Sequence, residues 1–426
     1  MLYSIVKILQ VLSQLKKQQY WALERLRSQQ FSDLQNTIRL ASANVPYYQR
    51  LFKINHLTAA DIRTWDDLEK IPFTTKNNIR TLAPEDLMPV SVNLQGLYVT
   101  STTGSSGVVL RVSRNLESSI WEKAFFHYTC QVVGVKFYER ICHIRTIPEN
   151  LTQSVGLLKR IGFKRYFHVS LKQKNEDLLK AIMIMRPQVL YTYPSVMVRL
   201  QRTMAENKIV LSVKRLIANG ETLFENSRQE IESTFEAPLF NTYGSTEFPS
   251  LGFECYKKKG FHLLTSAAVV EILVDGRPAK EGEEGDVFVT SLNNKCMPLL
   301  RYKLGDRAVY TSRSCGCGIT YPLLERITGR VDDFLIMPDG QHLSPRCINS
   351  LEIEGIMEYK IFQEAPGRFH VLVVPSKNYS SKTEEKIKKE IRSGCQNHEI
   401  EINIELTNNL PLSRTGKLQA VVRTFS

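Results

Sequence analysis

The chain has 426 residues, of which 42% are hydrophobic and 23% are charged, the composition of an ordinary soluble globular protein. This length suits one large domain together with a smaller one. Eight cysteines are too sparse for a disulfide scaffold. No apolar run reaches the roughly eighteen residues that a membrane-spanning helix needs, so no transmembrane helix is expected.

Lysine and arginine total 56 against 43 acidic residues, which gives a net charge of +13. Such an excess favours anionic ligands, anionic partners or a membrane surface. No RNA-binding or zinc-finger signature accompanies it, so we expect no nucleic-acid partner. Two explanations stay open: a solvated basic face, and substrates that carry phosphate, such as ATP or coenzyme A.

The first 45 residues are predicted to be helical. Within residues 1–20, one helix face carries the apolar side chains Ile5, Ile8, Leu9, Leu12 and Leu15. Because Lys7 interrupts the apolar run and no small-residue cleavage site follows, we interpret this segment as an amphipathic helix and not as a signal peptide. Both packing against the rest of the protein and peripheral contact with a membrane stay open. Without an export signal, the expected location is cytoplasmic.

Beyond residue 140, strands and helices alternate, which is typical of a layered parallel sheet. The predicted strands are Arg140–Ile144, Gln188–Tyr191, Lys214–Ala218 and Leu239–Asn241, and the clearest helices are Asn175–Met185 and Glu225–Phe235. From Phe261 to Tyr310 the pattern changes to hairpins. We therefore predict an α/β fold whose large domain contains mixed sheets.

A second change of pattern falls near residue 330. The last ninety-odd residues predict strand, helix, strand, helix and strand over Asp333–Ile336, Cys347–Met357, His370–Val374, Thr383–Cys395 and Ile400–Glu405. We predict a large N-terminal domain over residues 1–330 and a small, mobile α+β domain over residues 331–426, with the hinge at Val331 and Asp332.

Two polar loops follow predicted strands. The first contains Ser105, Ser106 and Gly107, whose hydroxyl and backbone N–H groups suit a phosphate chain, although a polar turn alone would have the same composition. The second runs from Tyr243 to Glu247 and offers an aromatic ring for a base, a hydroxyl for a phosphate and a carboxylate for Mg²⁺. A capped helix start is the alternative for this second loop.

Four residues have the composition of a structural zinc site. Cys255 and His262 flank a lysine-rich turn, and Cys315 and Cys317 follow about sixty residues later with glycines beside them. Three thiolates and one imidazole form a closed tetrahedral set for Zn²⁺. The alternative is that these are unrelated thiols in two hairpins.

Taken together, the segments resemble the adenylate-forming superfamily of acyl-CoA synthetases, and within it the phenylacetate–CoA ligase family. The passages that carry the resemblance are Asn44–Tyr48, Ile71–Lys76, Thr102–Val112, Arg186–Ser195, Gly220–Glu221, Tyr243–Glu247, Arg301–Asp306, Gly329–Asp333 and Thr415–Lys417. The likeness extends from about residue 35 to residue 425. The short length and the leading helical segment are similar to the branch found with capsule and other polysaccharide biosynthesis.

The resemblance implies a role for each matching residue. Contacts with ATP are implied for Ser105, Ser106, Gly107, Gly220, Glu221, Tyr243, Gly244, Thr246, Asp306 and Arg330. Among them, Thr246 would contact the α-phosphate and Asp306 the ribose, while Glu247 would hold Mg²⁺. Lys417, in the small domain, would bridge the α-phosphate and the substrate carboxylate. A zinc site is also found in some members of this family.

The activity implied is the ATP-dependent conversion of a carboxylic acid into an acyl-adenylate, with release of pyrophosphate. The acyl group then passes to coenzyme A, or alternatively to an amine for an amide in surface polysaccharide. The acid is expected to bind among Tyr191, Tyr193, Pro194, Asn219 and Tyr243. Neither the acid nor the oligomeric state follows from the sequence.

Overall fold

The structure is a computed structural model, and its backbone describes most of the chain. The described residues are 2–80, 82–101, 110–145, 165–170, 175–221, 223, 225–330, 335–340, 342–343, 348, 353, 355–375, 378–395, 399–408, 410–411 and 421–425. The chain divides into two compact units. The second unit consists of Thr328–Ser426 with the short segments Phe224–Asn226 and Gly305–Arg307, and the first unit contains the rest.

Helices and strands alternate as the sequence pattern predicted. The helices of the described residues are α1 Leu2–Gln18, α2 Leu23–Asn44, α3 Pro46–Ile54, α4 Lys76–Ile79, α5 Leu116–Val132, α6 Asn175–Met185, α7 Pro194–Asn207, α8 Glu225–Phe235 and α9 Ser381–Gly394. The strands are β1 Tyr98–Ser101, β2 Arg111–Arg114, β3 Ile141–Arg145, β4 Tyr166–Ser170, β5 Val189–Thr192, β6 Arg215–Asn219, β7 Leu239–Tyr243, β8 Gly252–Phe253, β9 Phe261–Leu263, β10 Ala268–Val274, β11 Arg277–Pro278, β12 Glu284–Ser291, β13 Tyr302–Thr311, β14 Leu323–Arg330, β15 Leu335–Ile336, β16 His342–Leu343, β17 Ile356–Ala365, β18 Arg368–Pro375, β19 Glu401–Leu406 and β20 Val421–Arg423.

A twelve-stranded mixed sheet organises the large domain, which confirms the predicted fold class. Its strand order is β11-β10-β12-β13-β14-β9-β8-β7-β6-β5-β3-β4. Strands β7, β6, β5, β3 and β4 are parallel to one another. Strand β8 pairs antiparallel with both β7 and β9. The order reverses at β3, which has β4 on one side and β5 on the other. Open α/β sheets bind ligands at such a switch point, outside the carboxyl ends of the strands.

The parallel strands are covered on both faces. On one face, Cys142 and Ile144 of β3 pack with residues of α6 and α7 such as Leu179 and Leu200. On the other face, Ile141 lies in a cluster with Cys130 of α5 and with Val189 of β5. Burial on both faces explains why the strands have short continuous apolar runs.

The N-terminal segment forms two helices, α1 and α2, where one continuous helical region was predicted. Val11, Leu12 and Leu15 of α1 pack against Phe125 and Tyr128 of α5, so the packing interpretation of the apolar stripe holds for this part. Ile5 and Leu9, on the same helix, are exposed. Among the described residues, no helix combines the length and hydrophobicity required to cross a bilayer. Contact of residues 1–20 with a membrane surface stays a prediction.

The second unit has its own core around a four-stranded sheet of order β19-β18-β17-β20. Phe369 and Val371 of β18 pack with Ile387 and Ile391 of α9. One prediction was wrong here: the helix expected over residues 347–357 does not include its last two residues, because Ile356 starts strand β17. Most of the remaining residues of that segment lie outside the described part of the chain.

Candidate nucleotide and metal sites

The turn from Tyr243 to Glu247 begins at the carboxyl end of β7 and is held by its own hydrogen bonds. The N–H of Ser245 donates to the carbonyl of Phe248 at 2.8 Å, and the N–H of Phe248 donates to the Ser245 hydroxyl at 3.1 Å. A Cβ on Gly244 would lie 2.4 Å from the carbonyl oxygen of Pro249, so only glycine fits. The turn therefore holds the half-buried side chains of Thr246 and Glu247 on a rigid backbone.

Arg114, at the end of β2, ties this turn to the neighbouring hairpin. Its guanidinium donates to the backbone carbonyls of Thr246 and Glu247, and to the hydroxyl of Thr100 on β1. It also pairs with Glu122 of α5, where burial raises the pKa of the carboxyl group even though Arg114 lies beside it. The glycine loop that contains Ser105, Ser106 and Gly107 connects β1 to β2 and lies outside the described residues. Its flanking residues, Ser101 and Arg111, are register partners.

The carboxylate of Glu247 is oriented by Tyr302. The Tyr302 hydroxyl donates to Glu247 Oε1 at 3.0 Å, and the Tyr302 ring is fully buried 6.1 Å from the ring of Phe248. An oriented carboxylate oxygen beside hydroxyl and backbone groups fits Mg²⁺, which takes one or two protein carboxylates together with nucleotide phosphates.

The second predicted element of the nucleotide site follows β6. Asn219 ends this strand beside Thr242 of β7, and Gly220 continues with a positive φ of 68°. The carboxylate of Glu221 accepts hydrogen bonds from both the N–H and the hydroxyl of Ser195, each at 3.1 Å. Glu221 therefore fixes the start of α7, and its predicted place in an adenine pocket stays a prediction.

A cluster of histidine and tyrosine side chains lies at the switch point of the sheet. His143 of β3 is in register with His168 of β4 and with Tyr191 of β5. Its Nδ1 lies 2.7 Å from the hydroxyl of Tyr166, and its ring centroid lies 4.4 Å from that of Tyr191. Burial lowers the pKa of His143 well below its ordinary value, so the imidazole is neutral. Tyr191 belongs to the set of residues predicted to bind the acid, and the structure places the side chain of His143 next to it.

The predicted residues nearer the C-terminus are only partly described. Asp306 lies in β13 directly after Gly305, whose φ is 85°, and Arg330 is the last residue of β14. Both positions fall within the segments of the second unit. The hinge at residues 331–333 and Lys417 lie outside the described residues, so their roles stay predictions.

The predicted zinc ligands are brought together in the first unit. The ligand atoms of Cys255, His262, Cys315 and Cys317 all lie within 4.8 Å of one another. The sulfurs of Cys255 and Cys315 are 3.4 Å apart, and the sulfur of Cys317 is 3.4 Å from His262 Nε2. A tetrahedral Zn²⁺ with sulfur ligands at about 2.3 Å separates two sulfurs by about 3.8 Å, so the cluster has about the size that the ion requires.

The surroundings of these four residues fit a metal as well. Backbone N–H groups of Lys257 and Ile319 donate to the sulfurs of Cys255 and Cys317, each at 3.4 Å, which stabilises thiolates. Burial raises the pKa of Cys255 to about 12 and lowers that of His262 to about 4. The imidazole is thus already in the neutral form that binds metal, whereas the thiol needs a nearby cation to lose its proton.

Comparison with known proteins finds relatives of this chain. Residues 336–424 match the family described as the CapK C-terminal domain. Phenylacetate-coenzyme A ligase of Thermus thermophilus is 26% identical over 81% of this chain and 79% of its own length. Protein CapK of Staphylococcus aureus is 25% identical over 74% of this chain and 69% of its own.

A solved structure shares the fold. A crystal structure of 2-hydroxyisobutyryl-CoA ligase in the postadenylation state, in complex with R3-HIB-AMP, superposes with a TM-score of 0.80 at 18% identity, covering 96% of this chain and 91% of that one. The chain is thus similar in sequence to phenylacetate-coenzyme A ligases, and it shares the fold of an acyl-CoA ligase.

Three features of the site were not predicted from the sequence. Arg114 was missed because its partners are carbonyl oxygens more than 130 positions away, which leave no trace in the sequence. Tyr302 belongs to one of the motifs that carry the resemblance, but nothing in the sequence indicated that its hydroxyl binds Glu247. Tyr166 and His168 were missed because strand β4 was not predicted. The available signal was that these two residues alternate with apolar residues.

Proposed function

We propose that the protein uses ATP to convert a carboxylic acid into an acyl-adenylate and then transfers the acyl group to coenzyme A. The observation that carries the proposal is the arrangement of the Tyr243–Glu247 turn, in which Arg114 holds the backbone and Tyr302 holds the Glu247 carboxylate. The relatives named phenylacetate-coenzyme A ligase support it.

Each residue has a defined task in the first step. A carboxylate oxygen attacks the α-phosphorus of ATP, the bond to the bridging oxygen breaks, and pyrophosphate leaves. Because two anions must meet, positive charge is needed where negative charge builds. Lys417 would bridge the two anions, and Thr246 would donate a hydrogen bond to the α-phosphate. Glu247 would hold Mg²⁺, which screens the phosphate charge when bound.

The remaining predicted contacts fix the nucleotide. Ser105, Ser106 and Gly107 would bind the β- and γ-phosphates, and Tyr243 would stack on the base. Asp306 would accept hydrogen bonds from the ribose hydroxyls, with Arg330 near the hinge. In the second step the thiol sulfur of coenzyme A attacks the acyl carbon and AMP leaves, which forms the thioester.

A screen for pyrophosphate release over a library of carboxylic acids tests the first step. We expect release that depends on ATP, Mg²⁺ and one class of acid, and a loss of at least about a hundredfold in Lys417→Gln and in Glu247→Gln. Lys382→Gln, at an exposed position of α9, serves as the control and should keep the activity. No release with any acid, or full activity in Lys417→Gln, contradicts the proposal.

The same purified protein can be used to test which molecule accepts the acyl group. With the active acid identified, coenzyme A and a panel of amino sugars and amino acids are supplied in parallel, and the products are separated by mass. We expect a thioester with coenzyme A. Formation of an amide instead, with no thioester, supports the alternative acceptor drawn from the resemblance to the polysaccharide-associated branch.

We further propose that Cys255, His262, Cys315 and Cys317 hold one structural Zn²⁺. The proximity of the four ligand atoms and the two N–H groups that donate to sulfur support this. Protein atoms would occupy all four coordination positions of the ion, so its role would be to hold β9 and the loop between β13 and β14 together. Metal analysis of the purified chain should give one zinc per chain; a fully folded chain without metal contradicts the proposal.

A further inference from the structure

The most exposed apolar side chains of the described residues stand together at one edge of the large sheet. Phe137, Ile184 and Val210 are 88%, 83% and 83% exposed, the highest values among the large apolar residues described. They precede strands β3, β5 and β6 respectively, which run parallel. All three therefore lie at the amino ends of these strands, opposite the carboxyl ends where the Tyr243–Glu247 turn begins.

Contacts between the turns make this edge one surface. The guanidinium of Arg140, which follows the Phe137 turn, donates to the carbonyl of Arg186 at 3.0 Å. The carboxylate of Glu139 in the same turn pairs with Lys214 and Arg215 at 3.3 Å. These contacts connect the turn before β3 to the turns before β5 and β6.

The charge of this edge is positive. Its exposed cations are Lys136, Arg165, Arg186, Lys208 and Lys214. The nearest acid, Glu139, is buried and already paired, and the exposed acids of the adjoining turns are Glu206 and Glu236. An exposed cation thus lies within two residues of each of the three exposed apolar side chains.

Exposed apolar side chains on three separate segments, each with a cation nearby in the sequence, fit one kind of partner best. A side chain that is more than four-fifths exposed protrudes and does not line a groove, so a broad, flat partner is needed to contact three such tips at once. A bilayer with anionic lipids is such a partner, because apolar tips enter the interface while cations meet the headgroups. We propose that this edge docks the protein on an anionic membrane surface, with the nucleotide site facing away from the lipid.

Vesicle sedimentation of the full chain tests the proposal. Vesicles of phosphatidylcholine alone are compared with vesicles that also contain phosphatidylglycerol, at low and high salt. We expect binding to the anionic vesicles only, weakened by salt. Lys136→Glu/Phe137→Ser should weaken this binding at least about tenfold, because it reverses one charge and removes one apolar tip.

The matched control is Lys53→Glu/Ile54→Ser, which also reverses one charge and removes one exposed apolar side chain, at the end of α3. It should bind like the parent chain, and both variants should keep the parent's circular dichroism. Absence of binding to anionic vesicles, or equal loss in both variants, overturns the proposal. So does a chain that is dimeric by light scattering and becomes monomeric in Lys136→Glu/Phe137→Ser, because the edge would then be an interface between copies.

Discussion

The hydroxyl of Tyr302 donates a hydrogen bond to Glu247 Oε1 at 3.0 Å. The two residues come from different parts of the fold, since Glu247 follows the parallel strand β7 and Tyr302 begins β13. Tyr302 is fully buried, so its hydroxyl has little freedom to move. The carboxylate that we propose for Mg²⁺ is thus oriented by a rigid neighbour and not by solvent.

Replacement of Tyr302 by Phe should lower catalytic efficiency without unfolding the chain. A hydrogen bond to a charged group contributes about 1.5–3 kcal/mol, so kcat/KM for pyrophosphate release should fall by about tenfold to a hundredfold. Tyr128→Phe is the control, because it also removes a buried hydroxyl, one that donates to Gln19 at 2.8 Å. Equal loss of activity in both variants would show that Tyr302 acts only through stability.

Arg114→Lys should impair both stability and activity. One ammonium group cannot replace a planar guanidinium that reaches Thr100, Glu122 and the two carbonyls of the turn. We expect a loss of about 2–4 kcal/mol in the free energy of unfolding, measured in urea, together with a raised KM for ATP. Arg50→Lys, in an exposed pair with Asp86, should change stability by less than about 1 kcal/mol. Equal effects of the two substitutions would contradict the role given to Arg114.

Loss of zinc should lower the thermal stability of the first unit. Cys255→Ser removes one of three thiolates, so we expect less than one zinc per chain and a Tm that is lower by at least about 5 °C. Cys296→Ser is the matched control, because Cys296 is a buried thiol outside the cluster that donates to the carbonyl of Ser113. If both variants keep the metal and the Tm of the parent chain, the four residues do not form a metal site.

The sequence predicted those elements whose signal is local. Helices Asn175–Met185 and Glu225–Phe235 were placed with the bounds that the structure has, because their apolar periodicity is regular and short loops flank them. The four residues of the proposed zinc site could be grouped from the sequence because cysteine and histidine are rare enough to be noticed, and the structure brings their ligand atoms together. Thus both local periodicity and rare chemistry can be read without a structure.

Elements that depend on tertiary contacts were not predicted. Strand β4 is held in the sheet by its parallel pairing with β3, which runs from Ile141 with Tyr166 to Arg145 with Ser170, and its own five residues carry only a weak strand pattern. The start of strand β17 was predicted to be the end of a helix, but its antiparallel pairing with β18 decides the conformation. The role of Arg114 likewise exists only once distant carbonyls have been brought to it.

Buried, neutral His143 should make the protein less stable in acid. Burial, with Arg145 and His168 nearby, holds its pKa well below the ordinary value of 6.5, so the unfolded chain binds the proton more readily. The contribution of His143 is therefore fully present above about pH 6.5 and is lost as the pH falls towards its folded pKa, by at most about 1.4 kcal/mol per pH unit.

The measurement is urea unfolding between pH 7 and pH 5 on the parent chain and on His143→Asn. The variant should show a smaller fall in the free energy of unfolding over this range, because its asparagine does not titrate. His56→Asn, at an exposed position, should behave like the parent chain. A fall in His143→Asn as steep as in the parent would mean that His143 binds a proton without unfolding.

Gly244→Ala should abolish most activity while leaving most of the stability. The new Cβ would lie 2.4 Å from the carbonyl oxygen of Pro249, so the backbone of the turn must move and carry Thr246 and Glu247 with it. A displacement of catalytic groups by about 1 Å costs about a hundredfold in rate. The readout is kcat for pyrophosphate release, corrected for the folded fraction.

The matched control for this substitution is Gly285→Ala. Its Cβ would lie 2.6 Å from the carbonyl oxygen of Leu273, a similar backbone clash in the pairing of β10 with β12. Both variants should lose about 1–3 kcal/mol of stability from overpacking, but only Gly244→Ala should lose activity per folded molecule. If the two variants retain equal activity, the close approach of Gly244 to Pro249 serves the fold alone, and the turn does not position the reacting groups.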